Sequence, residues 1–353
     1  MPTAIASLKV LGYLFAGSLL LARLSIASGV EKPTFGVNYD VVHTDTSLVD
    51  QCKTDPNATI HHRFALTRYD DPEMRKAVRE DLSEMYRSGF RSIRTLVELI
   101  PGTHTSGDLI DISNVNESVL SNLRKYLRDF QDAGFHSIIL VFAAQGTANP
   151  GCRKSEWGDC FDPKTLAATV AAESKIIAVA HSVEGIALRV DLLNEACPSK
   201  SIPLLLSSNF ATFIRSAIMM HAARFPEIPA TVSCQIERTS DGLANVESLF
   251  TESGDHISFF DVHAYPWDAP QVKEFLKEAA AKLGNTSLPI IFGETDYGDP
   301  EYRNRIVAAY RQAFHHNPDE ILFWPAHSNP SSCNFDVENP YRLKDALGGG
   351  SRK

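Results

Sequence analysis

Two short stretches of this chain place acidic side chains where chemistry could use them. "LRVDLLNEAC" (188–197) begins as an apolar, strand-like run, then delivers Asn194 and Glu195 side by side before Cys197 and Pro198. "LPIIFGE" (288–294) is also apolar until it closes on Glu294. Two carboxyl groups about 5–5.5 Å apart can exchange a sugar's substituent with retention of configuration. One attacks the anomeric carbon. The other protonates the leaving oxygen and later takes a proton from water. The charge on the first favours keeping the second protonated.

Glu195 and Glu294 are far apart in sequence, so the fold must carry both to one place. Apolar strand-like runs alternate with helical patterns along the chain. Strands are predicted at 34–42, 91–99, 136–144, 185–195, 230–237, 256–265, 288–294 and 320–326. The first helical pattern has Asp71 as N-cap, Pro72 at its first position and Gly89 at its end. The second ends at Gly134, and an Asp-Pro pair leads the third at 162–182. Such alternation means parallel strands joined by right-handed crossovers. Eight such units predict an α/β fold, a closed (β/α)8 TIM barrel, as a single domain over 29–347. An open doubly wound sheet is the competing fold, and it carries a glycine-rich phosphate turn after its first strand. Here that turn reads "NYDVVHTDTS" and has no glycine. The tail 348–353 is predicted to be disordered.

Barrels of this kind do their chemistry at the C-terminal ends of the strands. The first strand brings Asn38 and Tyr39, the second Arg94 and Glu98, and Gln145 follows the third. The fourth brings Asn194 and Glu195, the fifth Gln235 and Glu237, and the sixth Asp261, His263 and Tyr265. Glu294 closes the seventh, and Trp324 and His327 end the eighth. This constellation resembles glycoside hydrolase clan A, the retaining (β/α)8 glycosidases. By resemblance, "LLNEA" makes Asn194 the residue that binds the sugar 2-hydroxyl and Glu195 the acid/base. "IIFGET" makes Glu294 the nucleophile. "VHAYPW" is similar to the clan's His-x-Tyr, which implies that His263 and Tyr265 belong to the site and that Tyr265 hydrogen-bonds the nucleophile. "SIRTL" puts Arg94 beside it, and "ILFWPA" makes Trp324 the floor of the reacting subsite. Ala196 stands where family 5 usually has proline, and "VFAAQG" lacks a histidine that many family 5 members place there. The resemblance therefore reaches the clan and not a family.

Asn38, Gln145, Gln235, Trp157 and Trp267 are further sugar-binding candidates, the tryptophans because flat ring faces suit the CH-rich faces of sugars. Arg189 and Asp191 share the facing of Glu195 but lie deeper, where an internal ion pair is expected. Arg94 has a plainer alternative too, a pairing with a core carboxylate such as Asp261 or Asp191.

Bulk properties agree with a soluble enzyme. The chain has 353 residues, is 44% apolar and 22% charged, and carries a formal net charge of -9. A mildly acidic chain without a basic block is a poor match for nucleic acid or an anionic membrane. It suits a neutral oligo- or polysaccharide. Residues 1–28 read as a signal peptide, with "VLGYLFAGSLLLA" as the apolar core and Ser25 and Ala27 as the small residues before cleavage. A secreted monomer, free of the membrane after cleavage, is expected. In an exported protein the six cysteines suggest disulfides. Cys152–Cys160 is expected to staple one loop, and Cys52, Cys197, Cys234 and Cys333 leave three pairings open. No CxxC or HxxxH pair marks a zinc site, and no metal or other cofactor is expected. Asn57, Asn116 and Asn285 each begin an N-x-Ser/Thr sequon.

These readings predict a secreted retaining β-glycoside hydrolase. Long segments at 43–70 and 145–162 could wall a cleft, which favours endo action on a polysaccharide. A transglycosylase that remodels a cell-wall or exopolysaccharide would use the same residues. A non-catalytic carbohydrate-binding barrel is the alternative from another class. Such proteins usually lose a catalytic carboxylate, and this sequence keeps both.

Overall fold

The computed structural model describes residues 33–39, 65–97, 99–100, 110–142, 163–197, 209–235, 241–265, 269–283, 288–296 and 300–324. Strand β1 (Thr34–Asn38) leads to helix α1 (Pro72–Ser88) and β2 (Ser92–Val97). A small parallel pair, β3 (Leu99–Ile100) and β4 (Ile110–Asp111), precedes α2 (Glu117–Asp132). Then come β5 (Ser137–Phe142), α3 (Pro163–His181), β6 (Ala187–Asp191) and α4 (Asn209–Arg224). The second half holds β7 (Ala230–Thr231), β8 (Cys234–Gln235), α5 (Asp241–Glu252) and β9 (Phe260–Ala264). It ends with α6 (Ala269–Leu283), β10 (Ile290–Asp296), α7 (Pro300–Phe314) and β11 (Glu320–Trp324).

The main sheet is nine-stranded, in the order β7-β6-β5-β2-β1-β11-β10-β9-β8. Its pairings are parallel throughout. The two ends of that order, β7 and β8, are pieces of one segment separated only by Val232 and Ser233. β7 pairs with β6, and β8 pairs with β9. Counted as one interrupted strand, they turn the nine-stranded order into an eight-membered ring, the expected (β/α)8 barrel.

Residue pattern explains the layers. A strand in this ring is covered on both faces, so apolar residues point both ways. Val37, Ile93, Val97, Ile138, Leu140, Val190, Val262, Phe292 and Phe323 pack outward with the helices. Leu96, Ile139, Val141, Phe259, Ile291 and Leu322 form a separate cluster inside the ring. The two-residue period then sends Arg94, Asp261 and His263 inward as well. Helix α1 keeps its predicted ends: Asp71 accepts from the Glu73 amide, Pro72 follows, and Gly89 closes the helix at φ 109.

Three local features differ from the sequence reading. Strand β6 stops at Asp191, and residues 192–195 bend away instead of continuing to Glu195. Strand β9 begins at Phe260 and not near residue 256. Arg189 and Asp191 are both ion-paired, but not to each other. Arg189 Nη2 lies 2.6 Å from Glu320 Oε2, with its guanidinium 5.5 Å over the Phe259 ring, while Asp191 turns to Arg94. Among the described residues, Cys197 and Cys234 form a disulfide. The predicted leader, the tail 348–353, and Cys152 and Cys160 lie outside the described residues. No described helix is long and apolar enough to cross a membrane.

Candidate active site

Arg94 of β2 is fully buried inside the ring. A guanidinium there requires partners, because an unpaired buried charge is heavily penalised. Its Nη1 donates to Glu294 Oε1 at 2.7 Å and to Asn38 Oδ1 at 3.0 Å. Its Nη2 donates to Asn194 Oδ1 at 2.6 Å and to Asp191 Oδ2 at 3.0 Å. Its Nε lies 3.4 Å from Asp261 Oδ2. Burial works against the positive charge, but Glu294, Asp261 and Asp191 outweigh it and hold Arg94 above its ordinary pKa. Its planar fork thus ties residues of β1, β9 and β10 and the turn after β6 to one point.

Glu294 reaches this network because β10 is bulged. Ile291 faces the ring interior and Phe292 the outer core. Strict alternation would turn Gly293 inward and Glu294 outward. Instead the register with β9 shifts between Phe292 and Glu294, and the extra residue re-aims the glutamate. The bulge requires glycine: a Cβ on Gly293 would lie 1.8 Å from Asp261 Oδ1. Asn38 Nδ2 donates to the Gly293 carbonyl at 2.8 Å and pins the bulge from β1. The Tyr265 hydroxyl donates to Glu294 Oε2. Both oxygens of Glu294 therefore accept. Burial, with the charges of Glu294 and Glu195, pushes the Tyr265 hydroxyl well above its ordinary pKa, so it remains a donor.

Glu195 sits in the bend beyond β6. Residues 192–197 are buried, and neighbours satisfy the amides of Leu192 to Glu195. Leu192 N–H donates to the Thr231 carbonyl at 2.9 Å and Asn194 N–H to the Phe142 carbonyl at 2.8 Å. Leu193 N–H donates to Asp191 Oδ1 at 3.3 Å. Glu195 itself has φ 53, in the left-handed region that non-glycine residues rarely adopt. Its N–H donates to Ser233 Oγ at 2.8 Å.

His263 stands between the two glutamates. Its Nδ1 is 3.0 Å from Glu195 Oε1 and 3.4 Å from Glu294 Oε2, and its Nε2 is 3.2 Å from Arg94 Nη2. In the neutral ring, Arg94 donates to Nε2 and Nδ1–H faces Glu195. Burial disfavours a second proton, but the Glu294 charge and the Glu195 hydrogen bond outweigh it and raise the pKa. Nε2 would have to take that proton in place of the Arg94 donor, 3.6 Å from Asp261 Oδ1. Burial pushes the Asp261 carboxyl up to about 6, against the pull of Arg94 and His263.

One ligand-capable atom from each of Glu195, His263 and Glu294 lies within 4.8 Å of the other two. A divalent cation could use that set only against the Arg94 guanidinium, 2.7 Å from Glu294. The arrangement suits two carboxyl groups acting together on one bond.

Asn38, Arg94, Asn194, Glu195, His263, Tyr265 and Glu294 thus converge. Asn38 is fully buried, and its amide serves Arg94 and Gly293. Gln235 ends β8, half-buried. Trp324 ends β11, but its side chain lies outside the description, as do Glu98, Gln145, Trp157, Glu237, Trp267 and His327. Sequence reasoning missed two residues, Gly293 and Ser233. A glycine inside a strand pattern is a signal for a bulge. Ser233 carries no such signal.

No family model and no curated protein sequence matches this chain. Solved structures are similar to it. An exo-β-1,4-mannosidase from Opitutaceae bacterium strain TAV5 matches with TM-score 0.58 at 16% identity, over 92% of this chain. This chain spans only 60% of that mannosidase. The GH5_18 protein of Bifidobacterium longum gives TM-score 0.58 at 13% identity, over 90% of this chain and 78% of that one. The β-mannanase of the blue mussel Mytilus edulis gives 0.55 at 15% identity, over 91% and 92%. At such identities the likeness is one of fold: this chain has the (β/α)8 barrel found in these glycoside hydrolases.

Proposed function

We propose that this chain is a secreted retaining β-glycoside hydrolase that cuts within a polysaccharide. The carboxylate pair carries the reading. Oxygens of Glu195 and Glu294 lie within 4.8 Å of each other. Inverting enzymes hold their carboxyl groups about 6.5–9.5 Å apart to admit a water.

Glu294, steadied by Arg94 and Tyr265, attacks the anomeric carbon. The bond to the leaving oxygen breaks as Glu195 gives that oxygen its proton. Water then attacks the same carbon, Glu195 takes the water's proton, and the bond to Glu294 breaks. Asn194 Oδ1 is held by Arg94, which leaves the Asn194 amide nitrogen for the sugar 2-hydroxyl. Export is supported by the leader reading and by the Cys197–Cys234 disulfide, which suits an oxidising compartment.

The test is a substrate panel: mannans first, because the mussel protein is a β-mannanase, then β-glucans, xylans, galactans and bacterial exopolysaccharides. Wild type should release oligosaccharides from one of them, and Glu294→Ala should bind that polymer without cutting it. Wild-type-like turnover by Glu294→Ala would remove the assignment. Binding without turnover by the wild type would favour a carbohydrate-binding barrel.

A further inference from the structure

The seam between β6 and the interrupted strand β7–β8 lies beneath Glu195. Its backbone ladder is short, pairing Val190 with Ala230 and Asp191 with Thr231. By Cys234 the segment has moved across to β9, opposite Val262. At the level of Glu195 the seam is therefore held mainly by side chains. Ser233 N–H donates to Asp191 Oδ1 at 3.1 Å. Ser233 Oγ accepts from Glu195 N–H at 2.8 Å and lies 3.4 Å from Asn194 Oδ1, to which it donates. Next to Ser233, Cys234 is bonded to Cys197, two residues beyond Glu195, with the two Cα atoms 4.7 Å apart. Ser233, Cys197 and Cys234 are all buried. The left-handed backbone of Glu195, at φ 53, needs such support. A conformation of this kind persists only when its surroundings over-determine it.

We infer that Ser233 and the Cys197–Cys234 disulfide are positioning elements for Glu195. They hold the bend that aims its carboxyl group and do not themselves meet the substrate. The inference rests on the reading of Glu195 as the acid/base. Loss of either element should impair the step that needs a proton from Glu195 and spare a step that does not.

Two variants test this, Ser233→Ala and the double change Cys197→Ala with Cys234→Ala. Each is compared with wild type on two aryl β-glycosides, one whose leaving group needs protonation and one whose leaving group does not. The quantity is kcat/KM, which reports bond cleavage before the second step. Misplacement by about 1 Å can lower a rate roughly 100-fold. The expected result is a loss of about tenfold to 100-fold on the first glycoside and little change on the second. Equal loss on both, or no loss on either, overturns the inference.

A second readout needs no turnover. Amide hydrogen exchange at Asn194 and Glu195 should quicken in both variants while β2 and β5 keep their protection. Unchanged exchange at Glu195 also overturns the inference. If wild type cleaves neither these glycosides nor any polymer of the panel, the glycosidase reading fails instead, and exchange still decides whether these residues hold the bend. Should the double variant not fold, Ser233→Ala decides alone.

Discussion

Replacing Gly293 by alanine tests how β10 aims its glutamate. Gly293 is not among the glycines with positive φ, so alanine meets no penalty from the left-handed region. The difficulty is a collision. The added Cβ would lie 1.8 Å from Asp261 Oδ1, 2.4 Å from Cγ and 2.5 Å from Oδ2, where ordinary contact begins near 3.4 Å. Something must give by about 1.6 Å, the difference between 3.4 and 1.8 Å. If Asp261 moves, it leaves Arg94 Nε, now 3.4 Å away. If β10 moves, Glu294 leaves Arg94 and Tyr265. Overpacking of this sort costs about 1–3 kcal/mol. A shift of Glu294 by about 1 Å would add a rate loss near 100-fold. The assay is a double-mutant cycle by denaturant unfolding, with Asp261→Ala as the second change. Gly293→Ala should cost about 2 kcal/mol or more in the wild-type background and less than about 0.5 kcal/mol beside Ala at 261, a coupling typical of touching groups. Equal costs in the two backgrounds would refute the collision as the reason for glycine.

Tyr265→Phe removes the donor to Glu294 Oε2 and keeps the ring. It should lower kcat/KM by about 10–100-fold while stability changes by about 1 kcal/mol. Unaltered kcat/KM would show that the hydroxyl does not serve the nucleophile. Asp261 gives a pH prediction. Its carboxyl is raised from 3.8 to about 6, so the folded chain holds that proton more tightly than the unfolded chain. The resulting stabilisation is full below 3.8 and is lost as pH rises to about 6. The unfolding free energy of wild type minus that of Asp261→Asn should therefore fall as pH rises from about 3 to about 7. A difference that stays flat across this window would contradict the assignment.

Much of this site was legible in the sequence, and the remainder was hidden for identifiable reasons. Alternation in "SIRTL" and "FFDVHAY" gives the inward facing of Arg94, Asp261, His263 and Tyr265, because a two-residue period fixes facing along an unbroken strand. The same rule fails at Glu294, where the register shift at Gly293 inverts the facing that alternation assigns. It fails again after Asp191, where the chain bends and backbone conformation alone sets the direction of Glu195. Arg94 illustrates a choice that sequence could not make. Pairing with Glu294 and pairing with Asp191 or Asp261 were alternatives on paper, but one guanidinium has donors enough for both. The Cys197–Cys234 bond depends on the seam between β6 and β8, a long-range closeness that cysteine spacing does not encode.

The most direct measurement is the anomeric configuration of the first reducing ends released from a β-linked substrate, followed by proton NMR from the earliest times. Double displacement through Glu294 predicts β-configured ends first, with the α form growing in only by mutarotation. Ends that appear first as α would mean a single inverting displacement, and would contradict the assigned roles of Glu195 and Glu294.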